Sequence, residues 1–169
     1  MHEAPWRQQP PPDPGPHAQA LGRWSPAGFA ELTAGRLQLG AALHDGSRPA
    51  HADEAAVQKL ILAFEELVSN ALRHGRPPVT VTVTAADRTW LLQVSDGAGD
   101  RPPAEAVGRD PAHGGLGLGM VAELSAEHGW RVDADGGKTV WARVAFYETG
   151  SAPGEHSPQP RIPRDPMAP

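Results

Sequence analysis

Apolar side chains recur at helical intervals in two adjoining stretches of the chain. Between Gly28 and His44, Phe29, Leu32, Leu39 and Leu43 keep helical spacing, and Asp45-Gly46 then offers a turn. Between Asp53 and His74, Val57, Leu60, Ile61, Phe64, Val68, Ala71 and Leu72 share one face. Asp53 is placed to cap the start of this helix and Gly75 to stop it. After Pro77 and Pro78 the period changes. Val79 to Ala85 alternates valine with threonine as a half-buried strand does, and Thr89 to Asp96 follows the short Ala86-Asp87-Arg88 connection as its antiparallel hairpin partner.

A loop rich in glycine, proline and charge runs from Gly97 to Gly115, long enough to be a functional loop rather than a connector. Helical spacing resumes over Leu116–His128, and two further strands, Trp130–Asp135 and Lys138–Tyr147, flank the turn signal Asp135-Gly136-Gly137. The strands come in hairpin pairs instead of alternating singly with helices. The pattern therefore predicts an α+β, two-layer sandwich: a mostly antiparallel mixed sheet of four or five strands with about three helices on one face.

Composition sets the limits of this domain. Most of the 19 prolines lie in residues 1–26 and 150–169, where apolar periodicity is missing. We expect Pro-rich disordered tails over 1–26 and 149–169 and a single domain over 27–148. Cysteine is absent, which excludes disulfides and thiolate chemistry and makes a reducing cytoplasm the natural compartment. No stretch approaches the roughly 18 apolar residues of a membrane span. The net charge of −5 leaves no basic footprint for direct nucleic-acid binding. The eight histidines show no metal-ligand spacing.

Three features carry candidate chemistry. On the long helix Glu66 and Asn70 are spaced i, i+4, with Arg73 continuing the line, on a narrow polar strip flanked by Ala63, Leu62 and Leu67. An asparagine amide oxygen suits Mg²⁺ that is completed by nucleotide phosphates, and a glutamate one turn earlier suits a general base. Glu65 points about 100° away and suits the role less well. Asp96 shares its strand phase with Trp90, Leu92 and Val94, which aims a carboxylate at the core side, where it needs a donor. That donor is either the turn that follows or the exocyclic amine of adenine. Lastly, Gly114-Gly115-Leu116-Gly117-Leu118-Gly119 opens a helix. Glycines admit close ligand approach and a helix start suits a phosphate, the alternative being a flexible linker. The run is neither a Walker A loop nor a Rossmann fingerprint.

Together these segments resemble the GHKL (histidine kinase/Hsp90-like) ATPases, whose domain is the Bergerat-type ATP-binding fold, and among them the bacterial anti-sigma-factor serine/threonine kinases. The resemblance rests on Glu66-Leu67-Val68-Ser69-Asn70-Ala71-Leu72-Arg73-His74-Gly75, on Asp96-Gly97-Ala98-Gly99, and on Gly115-Leu116-Gly117-Leu118-Gly119-Met120-Val121. It implies ATP and Mg²⁺ as cofactors, Glu66 as catalytic base, and Asn70 as metal ligand. It also implies nucleotide contacts from Asn70, Arg73, His74, Asp96, Ala98, Gly115, Leu116, Gly117, Leu118, Gly119 and Thr139, with residues 100–119 as the ATP lid. The chain departs from the family pattern at Ala98 and Asp100, where glycines are expected, and at Lys138 in Gly137-Lys138-Thr139-Val140, where the family has Gly-Thr-Thr-Val. The function implied is phosphorylation of an antagonist protein on serine, sequestration of a sigma factor, or both, with room for a homodimer. The alternative is a non-catalytic or degenerate ATP-binding interaction module of the same fold.

Overall fold

The computed structural model describes residues 6–46, 48–104 and 117–146. In chain order its elements are β1 (Gln19–Trp24), α1 (Phe29–His44), α2 (Glu54–His74), β2 (Thr80–Ala86), β3 (Thr89–Asp96), α3 (Gly117–Leu124), β4 (Glu127–Val132) and β5 (Lys138–Ala145). The Asp53 side chain accepts the Ala56 N–H at 2.8 Å and so caps α2. At the other end of α2, Gly75 keeps an extended backbone with φ of −83° instead of the left-handed cap that its position suggests. Close approach is what requires glycine there, because a Cβ would meet the Ala71 carbonyl oxygen and the Asp96 carboxylate. Between β2 and β3 the turn puts Asp87 at φ of +47°, a conformation that short polar side chains tolerate.

The five strands form one sheet in the order β1-β2-β3-β5-β4, every neighbouring pair antiparallel. The only parallel element among the described residues is an isolated bridge between Gln8 and Trp130, so the expected mixed sheet is antiparallel throughout its named strands. All three helices contribute to one core with the sheet. Val57, Leu60, Phe64 and Val68 of α2 share it with Val81, Val83, Leu92, Val94, Val140 and Val144, and α3 adds Leu118 and Val121. Burial of this apolar surface is the main force holding the two layers together.

The α3–β4 segment differs from the sequence expectation. The third helix stops at Leu124, not His128, and β4 begins at Glu127. The Ser125 and Ala126 N–H groups turn to the Val121 and Arg143 carbonyls, and the ladder with β5 then takes over. The larger correction lies in residues 1–26, expected as a disordered tail. Residues 19–24 pair with β2, and Trp24 docks edge-on against Phe64 at 5.2 Å. Gly35 of α1 makes that docking possible, since a Cβ would press on both rings. Trp6 is buried at 3% exposure, its indole donates to the Leu118 carbonyl, and the following residues run along β4. Burying an indole this completely outweighs the local polarity of the Pro-rich stretch. The expected tail over 149–169 lies outside the described residues.

Candidate functional site

The polar strip of α2 carries Glu66, Ser69, Asn70, Arg73 and His74, running from buried Ser69 to exposed Arg73 and His74, and α3 begins directly opposite. Gly117, the first residue of α3, sits so close to α2 that a Cβ would overlap the Glu66 carboxylate. A side chain there would require the Glu66 carboxylate to shift, so glycine at 117 lets α3 start directly against the polar strip. The cleft between the two helices measures about 20 Å³, room for about one water. Burial and the neighbouring Glu65 raise the pKa of Glu66 above the ordinary carboxylate value, while Arg73 pulls it back. A half-buried carboxylate of raised basicity in a cleft is the physical profile of a proton acceptor.

Arg73 and His74 are exposed at the end of α2, and the Arg73 guanidinium lies 5.3 Å from the centre of the Phe29 ring. Leu118 is buried and turned into the core; Gly119 is half-buried on α3. Gly115 and Leu116 lie outside the described residues, as does most of the expected lid.

Asp96 ends β3 on the helix-facing side, as its strand phase predicts, and is buried at 4% exposure. Its Oδ1 accepts the Ala98 N–H at 2.7 Å, so it does cap the turn that follows. It also accepts from Lys138, whose Nζ lies 3.0 Å from Oδ1 and 2.8 Å from Oδ2. Asp96 and Lys138 are register partners on β3 and β5. Ser95 and Thr139 are the next pair along and therefore point to the opposite face. There Thr139 Oγ1 bonds Ser95 at 2.7 Å and Asp133 at 2.8 Å, beside an open groove of about 900 Å³ on the outer side of the sheet. Thr139 thus does not join Asp96, and Lys138 takes its place, a residue that sequence reasoning noted only as a departure. The parity of β5 relative to Asp96 was the missing signal.

The turn after Asp96 accommodates both missing glycines. Asp87 is the only non-glycine residue with positive φ among the described residues, so neither Ala98 nor Asp100 is forced into a left-handed conformation. Asp100 accepts a bidentate hydrogen bond from Arg76 at 2.9 and 3.0 Å, which lowers its pKa. Gly97 donates to the Arg76 carbonyl and Gly99 to the Gly136 carbonyl, fixing the turn to its two neighbouring loops.

The residues at the α2–α3 end fit a phosphate-bound Mg²⁺ in type, since Asn70 offers an amide oxygen beside a glycine-lined helix start. At the Asp96 end the carboxylate already has donors. No group of three His, Cys, Asp or Glu side chains able to hold a metal ion occurs among the described residues, and no described helix is long and apolar enough to cross a membrane.

A family model for a histidine kinase-like ATPase domain matches residues 30–144. Among solved structures, the RsbU and RsbW domains of Rv1364c from Mycobacterium tuberculosis are similar, with a TM-score of 0.53 and 20% identity. The match covers 76% of this chain and 32% of that one, so the present chain spans about a third of that protein's length. No curated protein matches.

Proposed function

The chain belongs to the histidine kinase-like ATPase domain family, and on that premise we propose that it is an ATP-binding regulator of the anti-sigma-factor kinase type, acting on protein partners. The observation that carries this reading is the α2–α3 apposition: Glu66 and Asn70 face the start of α3, where glycine at 117 leaves room for the Glu66 carboxylate. The proposed partners, a sigma factor and a serine-bearing antagonist, come from the resemblance of the segments around Glu66, Asp96 and Gly117 to anti-sigma-factor kinases.

Mg²⁺, when bound with ATP, would neutralise charge on the phosphates. Asn70 would hold the ion through its amide oxygen. Glu66, with its raised pKa, would accept the proton of an incoming serine hydroxyl. Arg73 lowers the Glu66 pKa and so offsets part of the rise due to burial. Asp96 would stand at the base end of the site, and α3 would have to separate from α2 for phosphates to enter a cleft of about 20 Å³.

The purified protein, incubated with labelled ATP, Mg²⁺ and a panel of candidate antagonist proteins, is expected to yield phosphoserine that disappears in Glu66→Ala. A second reading, a module that sequesters its partner without phosphoryl transfer, is favoured by the Lys138 ammonium on Asp96. Partner binding with no transferred label would select it.

A further inference from the structure

We propose that Lys138 occupies the hydrogen-bonding edge of Asp96 that a nucleobase would use, so that this protein grips nucleotides by their polyphosphate and discriminates poorly between bases. The inference rests on the proposed nucleotide-binding function and concerns the base end of the same site.

An ammonium has three protons and no acceptor. Those of Lys138 face Asp96 Oδ1 at 3.0 Å, Asp96 Oδ2 at 2.8 Å and the Ala98 carbonyl oxygen at 3.3 Å. Asp96 Oδ1 also receives the Ala98 N–H. The last turn of α2 closes the remaining side, since even a Cβ on Gly75 would run into the carboxylate. The two side chains are 1% and 4% exposed, so no edge of Asp96 is presented to a ligand. An exocyclic base amine is a neutral donor and would have to displace a charged one, which makes roughly twice as strong a hydrogen bond. Displacement would also strand an ammonium in a buried site. Lys138 has little freedom to leave, because β3–β5 register places it directly opposite Asp96 and strand parity sends its neighbour Thr139 to the other face. At the phosphate end Asn70, Ser69, Arg73 and Gly117 border the α2–α3 cleft, and the Glu66 carboxylate against Gly117 is the end of a flexible side chain that can move aside. Binding energy should therefore come from that end.

Calorimetric titration of the full chain with Mg-ATP and Mg-GTP tests this. The wild type is expected to bind both with dissociation constants within about threefold, whereas Lys138→Thr should favour ATP by about tenfold or more, the scale of one good base contact. A wild-type preference for ATP above about tenfold overturns the inference and leaves nucleotide binding intact. A folded Lys138→Thr that gains no preference overturns it too. Failure of both proteins to bind either nucleotide defeats the nucleotide-binding reading, and the inference with it. Should Lys138→Thr not fold, as judged by circular dichroism, the wild-type ratio alone decides.

Discussion

The indole Nε1 of Trp6 donates to the carbonyl oxygen of Leu118 at 3.2 Å, across 112 residues of sequence. This bond ties the N-terminal arm to the first turn of α3, the element that faces Glu66 and Asn70. The ring is tilted over His128 at 4.8 Å, and the arm continues as Gln9 N–H to Trp130 O at 2.8 Å. Trp6→Ala should cost about 3–5 kcal/mol, as large-to-small changes in cores do. Urea denaturation measures the loss, and hydrogen exchange should show α3 amides losing more protection than those of β2. An unchanged midpoint would mean that the arm is not docked in solution.

Lys138 and Asp96 make a different stability prediction. Removing one member of a buried ion pair leaves the other charge unsatisfied, so Lys138→Met should destabilise by about 3–5 kcal/mol. The double variant Asp96→Asn/Lys138→Met removes both charges and should recover a large part of that loss. A full double-mutant cycle by chemical denaturation checks it: additive single effects would show that the two side chains do not interact.

Much of this architecture was legible in the sequence because its signals are local. The apolar stripe of α2, its Asp53 cap and the Val-Thr alternation of β2 each depend on residues a few positions apart. The polar strip holding Glu66 and Asn70, and the inward phase of Asp96, follow from the same two periods. What escaped depends on distant partners. β1 shows no clean alternation, since its pairing shifts register between Ala20 and Gly22 and none of its residues is fully buried. Trp6 lies in a polar, Pro-rich stretch whose order comes from β4, α3 and Trp141, whose indole donates to Gln9 O at 2.9 Å. Whether Thr139 or Lys138 faces Asp96 is settled by the β3–β5 register, which no local pattern encodes.

Gly75 links the end of α2 to Asp96, because its Cβ position is crowded both by the Ala71 carbonyl and by the Asp96 carboxylate. Gly75→Ala should destabilise by about 1–3 kcal/mol through overpacking against the Ala71 carbonyl and the Asp96 carboxylate. Gly46→Ala offers a contrast, since nothing lies within 4 Å of its Cβ position and only its φ of +108° opposes the change. Thermal melts of the two variants separate crowding from backbone strain: addition of a nucleotide should shift Gly46→Ala as it shifts the wild type, and Gly75→Ala less.

Glu66 gives the domain a pH signature. Its pKa in the fold is raised chiefly by burial and further by Glu65, so the folded state prefers the protonated carboxyl more than the unfolded chain does. Its stabilising contribution is then fully present below the ordinary carboxylate pKa and is lost as pH rises through the raised value. At neutral pH ionised Glu66 opposes folding, and Glu66→Gln should be the more stable protein. The gain should stay under about 1 kcal/mol, because the side chain is only partly buried and solvent screens it. The gap should close as the solution is acidified below the unfolded-state pKa. Arg73 holds the value down, so Arg73→Ala should raise the Glu66 pKa further and enlarge the advantage of the glutamine variant. Carboxyl carbon shifts followed by NMR across the acid range give the titration directly. A Glu66 midpoint at or below the ordinary glutamate value, or one unmoved by Arg73→Ala, would remove the electrostatic basis for its proposed role as proton acceptor.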